Sequence, residues 1–262
     1  MHLQVLSSGS EGNSTLVRCG ETALLVDAGL GRDAQLARIE AARMPVGAID
    51  HVLVTHGHLD HARSAGSVAR RSRGFLHCAE NIMRHAAAKK TKRMAALRID
   101  QPFELANVDA RDPVRITPVS LPHDCDPTVA FRFDHDGRTA VIVTDMGEPS
   151  RAVAERLRGA HVLVLEFNYD PERMKAGPYP FALQRRITHG RGHLSNAQSA
   201  EMLELIASEN LHTLVLAHLS AKTNAPELAL EAAHGALEKL GITSRVRVIV
   251  ASQHEIGENL AV

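Results

Sequence analysis

Tryptophan is absent from this chain of 262 residues, and tyrosine and phenylalanine number only 2 and 6. The core must therefore be built from aliphatic side chains. Cysteine is almost as scarce. Cys19, Cys78 and Cys125 are odd in number and show no close pairing, which argues against a disulfide framework and against a thiolate zinc site. No stretch of about 18 consecutive apolar residues occurs, and no basic segment leading into an apolar run opens the chain. A cytoplasmic protein without membrane contact is expected. Net charge is missing too: 30 Lys and Arg offset 30 Asp and Glu, so any nucleic-acid contact must come from a local patch. With no low-complexity linker, repeat or composition break, residues 1–262 are expected to form one mixed α/β domain.

Histidine, by contrast, is abundant, with 16 residues, and imidazole is both the commonest protein metal ligand and the usual acid or base near neutral pH. The surrounding pattern says where these residues fall. Strand-like runs at Leu3–Leu6, Ser14–Arg18 and Ala23–Val26 are separated by Gly-rich turns. A helical stretch over Asp33–Arg43 precedes a short buried strand, His51–Thr55. Helices are expected over Ala62–Arg73, Asn81–Leu97, Arg151–Leu157, Ser195–Glu209 and Glu227–Leu240, and strands over Val114–Val119, Thr139–Thr144, Val162–Leu165, Thr213–Ala217 and Arg245–Val250. Ser195 and Gln198 form a capping-box pair at the start of one helix.

The densest chemistry lies in Thr55, His56, Gly57, His58, Leu59, Asp60, His61. Alternation in an extended loop sends His56 and His58 to one side, so one ion can bind both, while Asp60 and His61 turn toward a neighbouring position. Carboxylate beside imidazole suits Zn, Mn or Fe, and a pair of such ions can activate a water for hydrolysis. Residue frequencies give roughly three chances in a thousand of this pattern arising by accident. The bland alternative is a solvated helix start with fortuitous histidines. Further ligands are available at strand ends: His123, Asp145 and His218.

With Asp27 in Leu25, Val26, Asp27, Ala28, Gly29, these residues resemble the metallo-β-lactamase fold family. The resemblance implies a four-layer αββα sandwich of two mixed β-sheets flanked by helices, with two divalent ions per chain, Zn or Mn first and Fe or Mg next. One ion would take His56, His58 and His123; the other would take Asp60, His61 and His218; Asp145 would bridge, and Asp27 would be structural. Asp60 also enters the catalytic set. Asp145 stands where antibiotic-hydrolysing members place Cys, so the chain looks like the phosphodiesterase, nuclease and thioesterase branches. Finer matches at Ser8–Asn13, Leu165–Asn168, Gly177–Ile187, Gly192–Asn196, His218–Ser220 and Asn224 are similar to the YycJ (WalJ) subfamily. That implies a 5′ to 3′ exonuclease with DNA as substrate. Cys125, Met146, Glu148 and Pro149 depart from the subfamily pattern, and Cys125 is expected to be a buried neutral thiol.

His193, just before the capped helix, is expected to be the general acid, because phosphodiester cleavage leaves an alkoxide that must be protonated. The helix dipole there disfavours imidazolium, and the competing reading is a histidine that only caps structure. Arg185 and Arg186, with Arg191 nearby, are candidate phosphate contacts. Ser10, Asn13, Ser220 and Asn224 complete the expected substrate-binding set, although Gly and Asn serve any tight turn. Arg84, Lys89, Lys90, Lys92, Arg93 and Arg98 form a stretch without acids, readable equally as a phosphate-tracking stripe or a solvated face. The ten other histidines, at 2, 51, 77, 85, 135, 161, 189, 212, 234 and 254, lack ligand spacing and are expected to be ordinary. Two rivals remain: a small-molecule ester, thioester, lactone or cyclic-nucleotide hydrolase, and a noncatalytic metal-binding regulatory module.

Overall fold

The computed structural model describes residues 1–84, 88–107, 109 and 112–262. They divide into two compact units, one formed by 1–118, 133–138 and 252–262, the other by 119–132 and 139–251.

In the first unit, β1 (His2–Ser7), β2 (Ser14–Cys19), β3 (Thr22–Val26), β4 (His51–Leu53), β5 (Phe75–Cys78) and β6 (Met94–Ala96) lie side by side in that order, with β14 (Leu260–Ala261) on the outer edge of β1. The short turn at Gly20 joins β2 and β3 antiparallel, whereas β3 to β6 run parallel. Every residue of β3 is buried, as expected of a strand covered on both faces. Its Leu25, with Val52 and Leu76, packs against Ile39 of α1 (Arg32–Ala41) and Val68 of α3 (Ala65–Ser72). Between β4 and α3 stands the single turn α2 (Leu59–Ala62).

The second sheet has the order β13-β12-β11-β10-β9-β8-β7, comprising β7 (Phe103–Leu105), β8 (Val114–Leu121), β9 (Thr128–His135), β10 (Arg138–Val143), β11 (Val162–Glu166), β12 (Thr213–Ala217) and β13 (Arg247–Val250). β10 to β13 are parallel, and their registers align Val143 with Leu165 and Leu165 with Leu216. In the second unit α5 (Arg151–Leu157), α8 (Asn196–Ile206) and α9 (Pro226–Lys239) bury an aliphatic cluster in which Phe167 is the single aromatic. The shorter helices α6 (Pro171–Ala176) and α7 (Phe181–Thr188) lie between β11 and α8. Both sheets are thus mixed and flanked by helices, and the aliphatic core is what the scarcity of aromatics requires.

Two expected elements differ. Asn81–Leu97 is not one helix: α4 (Glu80–Met83) ends early, and Met94–Ala96 pairs parallel with β5 as β6. Residues 85–87 lie outside the described set. The Ala- and Lys-rich composition has helix propensity, but pairing with a sheet edge overrides it. The expected helix Ala62–Arg73 is two helices, α2 and α3, interrupted at Arg63 and Ser64, where the Ser64 hydroxyl bonds the Leu30 carbonyl. Strands β7 and β9 escape the periodicity pattern, as do helices α6 and α7. Among the described residues no helix is long and apolar enough to cross a membrane.

Candidate metal centre

In the first unit the histidine motif hangs from the carboxyl end of β4. His56 and His61 are fully buried, and the His56 ring lies 4.7 Å from that of His58 and 4.2 Å from that of His61, centre to centre. A solvated helix start does not bury its histidines in this way. Asp27, placed after β3 in the left-handed region at φ +59°, is the reason the cluster holds its shape. One carboxylate oxygen of Asp27 accepts from the Thr55 backbone N–H at 2.8 Å. The other accepts from the Thr55 hydroxyl at 2.9 Å and from His61 Nδ1 at 2.7 Å. With Nδ1 committed to Asp27, His61 turns Nε2 toward Asp60, whose carboxylate is 3.7 Å away. Gly29 matters here because a Cβ would collide with the Asp60 carbonyl; only glycine lets the Asp27–Gly29 turn pass so close to α2.

Asn13 reaches this motif from the Gly9–Asn13 loop, donating its backbone N–H to the Asp60 carbonyl at 2.7 Å. The Asn13 amide is buried, accepts from Gly9 N–H at 2.9 Å and places Nδ2 3.0 Å from His61 Nε2. Asn13 therefore braces the loop and the histidine, while Ser10 is exposed.

In the second unit the parallel register assembles a second cluster. Because Val143, Leu165 and Leu216 stand level, the residues at the end of β11 and just beyond β10 and β12 emerge along one edge, where ligands collect in such sheets. Those residues are Asp145, Glu166 and His218, and His193 joins them from the loop before α8. One donor atom from each of the four lies within 4.8 Å of the others. His193 Nδ1 is 2.7 Å and His218 Nδ1 3.0 Å from the same oxygen, Glu166 Oε1, and His193 Nδ1 is 3.5 Å from Asp145. His123, after β8, donates Nδ1–H to the Gly192 carbonyl at 2.9 Å and brings Nε2 to 3.8 Å from Asp145. Gly192 can approach because it lacks a Cβ, which would strike the Ile187 carbonyl.

Glu166 is the residue that sequence reasoning missed. It is fully buried and ends a strand, the same position that flagged His123, Asp145 and His218. Burial alone would push its carboxyl pKa up, but His193 and His218 prevail and hold it below the ordinary value. Burial likewise pushes His193 down, yet the Glu166 carboxylate outweighs it and raises the imidazole pKa. This corrects the expectation from the helix dipole, since a hydrogen-bonded buried carboxylate exceeds a partial charge at a helix end.

The remaining expected contacts divide. Arg186 lies on α7 with Nε 2.6 Å from Asp124 Oδ2, and the Arg185 guanidinium sits 6.0 Å from the Phe181 ring; both arginines are exposed. Ser220 and Asn224 are buried and bonded internally, Ser220 to Thr223 and Asn224 to Asn196 and the Phe167 carbonyl. Ser195 caps α8 with its expected capping box to Gln198. Cys125 is partly exposed, in contrast to the expectation of burial. His51 and His77, expected to be ordinary, bond each other at 3.1 Å, and His85 lies outside the described residues.

The donor chemistry fits divalent cations. His61, His123 and His218 each have Nδ1 engaged by a carboxylate or a backbone carbonyl, the arrangement that fixes the tautomer and ring orientation of metal-binding imidazoles so that Nε2 ligates.

Comparison with known proteins accords with this chemistry. Residues 22–219 match the family described as beta-lactamase superfamily domain. The chain is 32% identical over 247 residues to an exodeoxyribonuclease YycJ of Bacillus anthracis, covering 92% of this chain and 90% of that protein. It is 32% identical over 228 residues to an exodeoxyribonuclease WalJ of Streptococcus pneumoniae, covering 86% and 84%. Among solved structures, the metallo-β-lactamase fold protein YhfI of Bacillus subtilis aligns with a TM-score of 0.73 over 99% of both chains at 16% identity, a likeness of fold.

Proposed function

Because the chain belongs to the metallo-β-lactamase-fold superfamily, we propose that it is a metal-dependent phosphodiesterase, a nuclease that removes nucleotides from DNA in the 5′ to 3′ direction, with residues 1–262 working as one hydrolase domain. The observation that carries this reading is the 2.7 Å bond between His193 and the buried Glu166, beside Asp145 and His218. Phosphodiester cleavage expels a strongly basic alkoxide, whereas a thioester expels a thiolate that leaves without help. A histidine held by a buried carboxylate at the cluster is the device the first reaction needs and the second does not. The names of the two exodeoxyribonuclease relatives support DNA as the substrate class and an end as the point of attack.

In this reading His56, His58, Asp60, His61, His123, Asp145 and His218 would hold divalent ions, Zn or Mn. Bound there, such ions supply Lewis acidity to a phosphoryl oxygen and lower the pKa of water. The chain's own residues do the rest. Asp27 and the Gly192 carbonyl orient His61 and His123. Glu166 accepts Nδ1–H of His193 and so aims Nε2–H at the departing oxygen. Ser10 and Arg185 are exposed toward solvent, Arg186 would meet a phosphate from its ion pair with Asp124, and Asn13, Ser220 and Asn224 keep the loops beside the clusters in place.

The test is His193→Ala assayed on two substrates. DNA hydrolysis is expected to fall at least about 100-fold with metal content retained, while bis(para-nitrophenyl) phosphate, whose leaving phenolate is a weak base, is affected far less. Full activity on DNA would remove His193 from the acid role, and loss of metal would make it a ligand instead.

A further inference from the structure

We infer that the first unit carries a second DNA contact away from the histidine motif: a cationic cleft bounded by Arg70, Arg73, Lys90, Lys92 and Arg93 that binds the phosphates of a single strand, with Phe75 as a base platform. This rests on the reading of DNA as substrate.

The chain as a whole is neutral, yet the interval from Arg63 to Arg98 contains ten of its 30 Lys and Arg residues and a single acid, Glu80. The fold gathers five of these cations around a cleft of about 310 Å3 at the carboxyl end of α3 and the start of β5. Two are fixed in place rather than waving in solvent. Arg70 donates to the Lys89 carbonyl at 2.8 Å and to the Thr91 hydroxyl at 3.2 Å. Arg93 donates to the Arg73 carbonyl at 2.6 Å and lays its guanidinium 5.7 Å from the Phe75 ring centre. Among the described residues no carboxylate forms an ion pair with any of the five. Cations arranged without acids attract a polyanion, and the phosphodiester backbone is the one this enzyme would meet.

Phe75 makes the contact specific to a single strand. In a chain with 6 phenylalanines it stands 43% exposed, beside the cleft and stacked under Arg93. A basic groove edged by an exposed aromatic is how unpaired bases are held, through stacking with little sequence preference. The cleft is also separate from the metal cluster. Phe75 pairs with His51 at the start of β4, whereas His56–His61 follow the end of that parallel strand. The cleft lies at the carboxyl end of α3, whose eight residues span about 12 Å, whereas the histidine motif precedes that helix.

The experiment measures binding of a fluorescent single-stranded oligonucleotide by anisotropy, in EDTA and over a range of salt. The triple variant Arg73→Asn, Lys90→Asn, Lys92→Gln uses asparagine where φ is +62° and +67°, since asparagine tolerates that region. It is expected to bind at least tenfold more weakly, with a log affinity against log salt slope shallower by about 2, at roughly 0.7 per lost single-strand phosphate contact. Phe75→Leu should weaken binding about fivefold or more without changing the slope. Turnover of bis(para-nitrophenyl) phosphate should be unchanged in both. Wild-type affinity and slope in the triple variant would overturn the cleft, and so would a parallel loss of small-substrate turnover. Weakening confined to duplex DNA would overturn the single-strand assignment. A wild-type enzyme that hydrolyses no DNA, yet whose binding responds as expected, would refute the nuclease reading and leave the cleft standing.

Discussion

Asp27, Asp145 and His218 share an unusual backbone: each follows a parallel strand and each has positive φ, at +59°, +61° and +55°. A conformation sparsely populated by non-glycine residues costs of order 1–3 kcal/mol and persists only where its surroundings insist on it. Here the left-handed step turns the chain abruptly out of the strand at the sheet edge where the side chain is used. Asp27 shows the return on that cost, because its carboxylate fixes both Thr55 and His61. Asp27→Asn should weaken divalent-metal binding by about 10- to 100-fold, measured by competition with a chromogenic chelator. Undiminished affinity would reduce Asp27 to a fold residue. Glu166 belongs to the same scale. Its strand-end position and its place within the Leu165–Asn168 match were the available signals, but a lone carboxylate there does not reveal which histidines it holds. Its partners His193 and His218 lie 27 and 52 residues away.

At the scale of elements, the parallel strands carry the site. β10, β11 and β12 are nearly all-buried aliphatic runs, so sequence reveals their existence and flags Asp145 and His218 after β10 and β12, but not Glu166 at the end of β11. α8 was legible for a different reason. Its capping box is local chemistry, and Ser195, Gln198 and the preceding His193 stand together in sequence as they do in space. Ser195→Ala removes the cap and should cost about 1 kcal/mol of stability, read as a lower denaturant midpoint at constant slope. A stability equal to wild type would show that the Tyr169 and Asn168 backbone contacts to this loop suffice without the cap. What sequence could not reveal is β6, since Met94–Ala96 is a strand only because β5 offers it an edge. Short elements such as β7 and α6 likewise take their form from neighbours rather than from periodicity.

Over the whole molecule, the fold class and the seven expected metal-binding residues are what the family resemblance implies, spacing by itself pointing only to His56, His58, Asp60 and His61, and family membership follows from 32% identity to two exodeoxyribonucleases across most of the chain. Substrate chemistry was less legible. Asn13, Ser220 and Asn224 stand beside the motifs yet direct their side-chain hydrogen bonds inward, whereas the cationic cleft near Phe75 appeared in sequence only as a charge run of ambiguous meaning. Balanced charge hides such a patch until the fold collects it. Metal-dependent hydrolysis of DNA from an end is tested by metal analysis of the purified protein joined to digestion of 5′- and 3′-labelled DNA, with and without chelator, beside thioester and lactone substrates. The expected result is about two divalent ions per chain and chelator-sensitive release of mononucleotides from the 5′ end. Metal-dependent turnover of the thioester or lactone alone, with labelled DNA left intact, would contradict it.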